Sequence, residues 1–164
     1  MRHIKVKAAA VLEARPEDVY ATIADYRQGH PNIIPKESLY DLQVEQGGYG
    51  AGTIIRFKAR ALGVERSFYQ RVSEPEPGRV LVEQDINSVH NVVTTFTVTP
   101  LERGQKSHVE ISHIENTSPG FLQGFIESVV GPIVLSPVFR KELKLLEAVA
   151  QKRRTPLATS NQID

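Results

Sequence analysis

The chain has 164 residues, carries 20 Lys+Arg against 19 Asp+Glu for a formal net charge of +1, and contains no cysteine. A chain of this length buries roughly two thirds of its unfolded surface, enough for one core without a disulfide or a metal. The composition excludes thiol catalysis, thiolate metal sites and a disulfide framework, points to a reducing, cytoplasmic setting, and supplies no general attraction for nucleic acid or an anionic membrane.

Ile4, Val6, Ala8, Ala10 and Leu12 alternate with His3, Lys5, Lys7 and Glu13, which predicts a half-buried strand over about 3–13. No apolar run with a small-residue cleavage site precedes it, so a signal peptide is not expected. Pro16 then opens a short helical stretch, 16–36, with Glu17 and Asp18 in the dipole-favoured first turn and Val19, Tyr20, Ile23 and Tyr26 at helical spacing. His30-Pro31 and Ile34-Pro35 leave room for one short helical turn between them.

The run Gly47-Gly48-Tyr49-Gly50-Ala51-Gly52-Thr53 separates Leu42-Gln43-Val44 from Ile54-Ile55-Arg56-Phe57, so its glycines are predicted to supply left-handed positions in a hairpin turn. No helix start follows it, and it carries neither Gly-Lys-Ser/Thr nor a dinucleotide glycine register, which argues against phosphate binding. Its functional expectation is a movable loop at a cavity mouth. Further strands are predicted at Val64–Val72, Arg79–Ile86, Val89–Thr99 and Ser107–Ile114, joined by turns short enough to make sequence neighbours antiparallel.

Ser118-Pro119 and Ser136-Pro137 each read as an N-cap followed by proline at the first helical position, with Gly131-Pro132 between them. The final segment, 118–153, is therefore predicted to be a long helix kinked or broken around 131–137. Phe121, Phe125, Val129 and Ile133 would form a cavity-facing stripe before the break, and Phe139, Leu143, Leu146 and Val149 or Ala150 would close the sheet after it. Phe121–Phe139 is nearly long enough to span a membrane, but Gln123, Glu127, Pro132 and Pro137 favour a buried helix without stable membrane insertion. Lys152-Arg153-Arg154 complements the dipole at the helix end, and residues 154–164, which lack periodicity, are expected to form a disordered tail.

No repeat or linker divides residues 1–153, which read as one ligand-binding domain. One strand, two short helices, a run of strands and a long apolar helix predict an α+β fold in which the last helix covers the concave face of a curved antiparallel sheet and leaves a cavity.

Alternation assigns the cavity lining. If Val72, Phe96, Val98, Val109 and Ile111 face the core, then Phe68, Gln70, Val92, Thr94 and His113 share their face. On the fifth strand Val82, Gln84 and Ile86 are more apolar than Leu81, Glu83 and Asp85, so the first set is expected inward. The expected ligand contacts are thus Phe68, Gln70, Gln84, Val92, Thr94 and His113 from the sheet and Phe121, Phe125, Val129 and Ile133 from the helix. His113 is the member of this set able to exchange protons near neutral pH. It reads as a general acid/base, or as a strand-end histidine bonded to backbone or a neighbour. Gln70 and Gln84 read as ligand contacts or as holders of buried water, and Arg66 as an anion partner or half of a surface ion pair. His108 and His113 lie an odd number of residues apart on one strand and cannot share a metal; with no ligand spacing among the other histidines, neither a metal nor a cofactor is expected.

Four pieces carry a family resemblance: Arg15-Pro16-Glu17-Asp18-Val19-Tyr20 continuing to Ile23-Ala24-Asp25-Tyr26; Gly47 to Thr53; Val72-Ser73-Glu74-Pro75-Glu76-Pro77-Gly78-Arg79; and Thr95-Phe96-Thr97-Val98-Thr99-Pro100. In this order they resemble the START and birch-pollen-allergen helix-grip superfamily, in particular its bacterial polyketide cyclase/dehydrase and lipid-transport group (SRPBCC), over about residues 3–150. The resemblance implies a seven-stranded antiparallel sheet gripping a C-terminal helix around a deep cavity. It also implies members that carry lipids or hormones, bind quinones or cyclise polyketides, with catalytic residues that differ between branches. Two functions follow in order: binding or transport of a hydrophobic molecule such as a lipid, quinone, isoprenoid or aromatic polyketide, and cyclase/dehydratase chemistry on such a ligand with His113 as acid/base. A third is an interaction module docking through residues 121–139. The expected state is a monomer or homodimer.

Overall fold

The computed structural model describes residues 2–154, apart from the side chains of Phe121 and Phe125. The tail expected to be disordered lies, from residue 155 on, outside the described residues. Seven strands, β1 (His3–Leu12), β2 (Leu39–Gln46), β3 (Ile54–Ala61), β4 (Val64–Glu76), β5 (Val80–Asp85), β6 (Val93–Leu101) and β7 (Lys106–Asn116), form one sheet in the order β1-β7-β6-β5-β4-β3-β2. Every pairing is antiparallel. Short connections make each strand from β2 to β6 pair with its successor, and β1 closes the order against β7. Helix α1 (Pro16–Ala24) and a 3-10 turn (His30–Asn32) follow β1, and helix α2 (Phe121–Arg153) covers the concave face.

The β1 alternation appears as read: Ile4, Val6, Ala8 and Leu12 are buried, while His3, Lys5 and Lys7 are exposed. Cross-strand register then lays the core out in rows. One row is Ala8–Ile111–Phe96–Leu81; the next is Val6–His113–Thr94–Glu83–Val72. The first row is wholly apolar, and the second places three polar side chains side by side between two valines. Helix α1 buries Val19, Tyr20, Ile23 and Ala24 against this core, and α2 contributes Phe139, Leu143, Leu146 and Ala150.

Two expectations about α2 are corrected. Of the kink or break expected at 131–137, the break does not occur, because the helix is continuous through Pro132 and Pro137. Each proline removes one helical N–H, but the carbonyl freed by Pro137 belongs to Ile133, which is 69% exposed and open to water. Nor does Ser118 cap the helix. Its backbone N–H and its hydroxyl both donate to the Glu127 carboxylate at 2.7 Å, tying the entering chain to the second turn, and α2 starts after Gly120. By length and composition α2 also passes as a membrane span, yet its second half is packed into the core of the sheet.

The glycine loop is a turn between β2 and β3, but it is pinned rather than a movable rim. Gly47, Gly48, Gly50 and Gly52 all have positive φ. Tyr26 N–H donates to Gly48 O, Gly50 N–H to Ala24 O, Gly52 N–H to Val72 O and Ala51 N–H to Glu74 Oε2. None of its residues lines the cavity.

Candidate functional site: a cavity between sheet and helix

A cavity of about 300 Å³ lies between the sheet and α2. Its walls are mostly apolar: Ile55, Phe57, Phe68, Val92 and Phe96 from the sheet side, and Val130, Val134, Leu135, Val138 and Phe139 from the helix. Phe57 and Phe68 stack at 4.9 Å to form one wall. Leu62, Val64 and Ile126 line the cavity while 77%, 62% and 45% exposed, so the opening lies between the β3–β4 turn and the first half of α2, away from the glycine loop.

Five of the expected contacts, Phe68, Gln70, Val92, Thr94 and His113, line this cavity. Phe121 and Phe125 lie, as side chains, outside the described residues. Gln84, Val129 and Ile133 do not line it, and each error has a physical cause. On β5 the inward set is Leu81 and Glu83, both buried, whereas Gln84 is exposed and bonds Asn91. Counting apolar residues chose the wrong face because buried partners compensate Glu83: Tyr26 donates its hydroxyl to Glu83 Oε1 at 2.6 Å, and His30 Nε2 stands 3.5 Å from the same atom. On α2, an unbroken helix carries the phase of its anchored half back toward its start. The four-residue row Ile126, Val130, Val134, Val138, Glu142 and its neighbour Glu127, Gly131, Leu135, Phe139 face the cavity. The expected row Phe121, Phe125, Val129, Ile133 runs one position over, and Val129 and Ile133 are 49% and 69% exposed.

Three buried carboxylates on the cavity wall were not anticipated. Glu115 extends the Val109–Ile111–His113 row but lies beyond the predicted end of its strand. Glu142 sits three residues after Phe139 and four before Leu146, so helical phase already placed it inward. Glu83 had no sequence signal beyond its parity with Leu81.

His113 is buried at the centre of a hydrogen-bonded chain. Its Nε2 is 3.1 Å from Glu115 Oε2 and its Nδ1 is 3.2 Å from the Thr94 hydroxyl oxygen. A carboxylate only accepts, so Nε2 carries the hydrogen, and in the neutral imidazole Nδ1 accepts from Thr94. Arg66 Nη1 holds the other Glu115 oxygen at 3.3 Å. Burial raises the Glu115 carboxyl, but the His113 and Arg66 contacts outweigh it and hold the group below its ordinary value. The charged carboxylate fixes the orientation and tautomer of the imidazole, which leaves Nδ1 as the nitrogen able to accept a proton.

Glu142 behaves oppositely. It is 3% exposed, and burial together with the neighbouring Glu83 holds its carboxyl well above the ordinary value of 4.5. The folded state therefore favours the protonated acid. That preference stabilises the fold fully below about pH 4.5 and is lost as pH rises toward the folded-state value. The Glu142→Gln variant, which cannot ionise, is expected to melt above the parent at neutral pH, with the gain vanishing below pH 4.5. Each kcal/mol corresponds to about 2–4 °C at this chain length. Melting curves of both proteins across pH 4–8 check it; a Tm difference independent of pH would contradict the buried-acid account.

A seven-stranded antiparallel sheet gripping one long helix around an apolar cavity defines a helix-grip protein. The chain belongs to the polyketide cyclase/dehydrase and lipid transport family, whose model matches residues 3–151. Among solved structures, the KanY protein is 27% identical with a TM-score of 0.77, over 92% of this chain and 99% of that one. The ZhuI aromatase/cyclase of Streptomyces sp. R1128 is 15% identical with a TM-score of 0.70, over 96% of this chain and 99% of that one. A START superfamily protein of Mycobacterium smegmatis is 13% identical with a TM-score of 0.68, over 93% and 99% respectively. These last two likenesses are of fold alone. No curated protein matches the chain significantly.

Proposed function

We propose that this protein binds a hydrophobic small molecule, of lipid, quinone, isoprenoid or aromatic polyketide type, in its internal cavity and carries or senses it in a cytoplasmic setting. The observation that supports this reading is the cavity itself: about 300 Å³ of space, apolar on both sides, with a few oriented polar groups along one sheet row. Family membership agrees with it. Native mass spectrometry of the freshly purified protein tests it: a retained molecule, released on activation, identifies the ligand class. Absence of any adduct, together with no binding of the apolar fluorophore N-phenyl-1-naphthylamine, would overturn it.

A second reading, cyclase or dehydratase chemistry in the same cavity, is supported by the Thr94–His113–Glu115 chain. His113 Nδ1 would take a proton from the carbon beside a ligand carbonyl, and Glu115 would stabilise the imidazolium that forms. The resulting carbanion would attack a second carbonyl or expel a β-hydroxyl, and the proton from His113 would leave on that oxygen, as water in the dehydration. Conversion of the retained molecule on standing separates an enzyme from a carrier.

A further inference from the structure

Gln70 is 1% exposed, lines the cavity and donates from Nε2 to Asp85 Oδ1 at 2.9 Å. Because a carboxylate cannot donate, this bond fixes the amide with Oε1 as its remaining end. Among the described residues, Oε1 of Gln70 is the one buried side-chain nitrogen or oxygen without a protein partner. Buried polar groups are nearly always paired, so its donor comes from whatever fills the cavity.

The other polar groups of the wall are already engaged. Glu83 accepts from Tyr26, Glu115 is held by His113 and Arg66, Thr94 pairs with His113, and Asp85 accepts from Gln70 and from the Val92 N–H. Glu142 differs: it lines the same cavity from the helix side, and the charged group acting on it is another carboxylate, Glu83. At Gln70 Oε1 an incoming carboxylate or carbonyl would meet another acceptor, and a pure hydrocarbon would leave Oε1 unpaired.

We infer that the ligand is an apolar body ending in a hydrogen-bond donor, a hydroxyl or a protonated amine, which Gln70 Oε1 and Glu142 receive. This rests on the binding reading above and narrows its ligand class.

Three compounds of one shape test it by calorimetric titration into the full chain: 2-methylnaphthalene, 2-naphthol and 2-naphthylmethylamine. At least one donor compound is expected to bind about tenfold or more tightly than the hydrocarbon. Gln70→Met should abolish an advantage of the alcohol, and Glu142→Gln an advantage of the amine, while the hydrocarbon stays within about twofold of its original affinity. An advantage of the alcohol alone assigns a hydroxyl head, and of the amine alone an ammonium head. Equal affinity for all three in the unmodified protein overturns the inference without any variant. So does a donor advantage that survives both substitutions, since ordered water then occupies Oε1. If none of the three compounds binds, the binding reading falls and this inference with it.

Discussion

Replacing Gly50 with valine is expected to destabilise the fold by about 3–5 kcal/mol and lower Tm by on the order of 10 °C. Two costs act together. Gly50 sits at φ +58°, in the left-handed region that a β-branched side chain adopts only under strain. In addition, a Cβ there would stand 2.4 Å from Glu74 Oε2. That carboxylate cannot move freely, because it accepts from the Ala51 N–H at 2.7 Å and from the Tyr20 hydroxyl at 2.7 Å. Displacing it loosens both the loop and the buried face of α1. Thermal denaturation of Gly50→Val beside the unmodified protein measures the loss, and the N-phenyl-1-naphthylamine association rate separates it from gating. Because the loop lies away from the opening, that rate should be unchanged in the folded fraction. A slowed rate with unchanged Tm would restore the loop to the mouth.

The fold was legible because its signals are periodic and local. Strand alternation in β1, β6 and β7, short turns between β3 and β7, and proline at the start of α1 all depend on sequence neighbours. The site was legible only where parity extended a firmly apolar row, as with Gln70 and Val92, or with Thr94 and His113 beside Phe96 and Ile111. It failed wherever a distant partner reversed the local preference. Glu83 is buried because Tyr26 and His30, from a helix end and a 3-10 turn, meet it across the core; nothing within β5 announces them. The helix stripe failed differently. Pro132 and Pro137 are local break signals, yet the packing of Phe139, Leu143, Leu146 and Ala150 holds one continuous helix through both, and tertiary burial outweighs a cost of roughly 3 kcal/mol per proline. Once the phase is continuous, the cavity-facing row follows from Phe139 alone.

Replacing His113 carries the largest expected effect on chemistry. Its ring is 6% exposed, lies 5.7 Å from the Phe139 ring and links Thr94 to Glu115. His113→Ala leaves Glu115 with Arg66 as its remaining protein partner, so stability should fall by about 1–3 kcal/mol. His113→Gln can still donate to Glu115 and should recover part of that loss. If Nδ1 is the proton acceptor, both variants should convert the molecule recovered from the native protein about 10²–10⁴-fold more slowly. Affinity for N-phenyl-1-naphthylamine, which senses mainly the apolar walls, should change far less. A carrier gives a different pattern, with weakened binding of the recovered molecule in both variants and no turnover in the parent. A third pattern would remove His113 from the site: a large fall in Tm for alanine, recovery for glutamine, and unchanged binding and turnover in both. Stability, affinity and turnover measured on the same two variants therefore separate base, ligand contact and structural brace, because glutamine's retained hydrogen bond repairs the loss of a brace but neither that of a base nor that of a ligand contact.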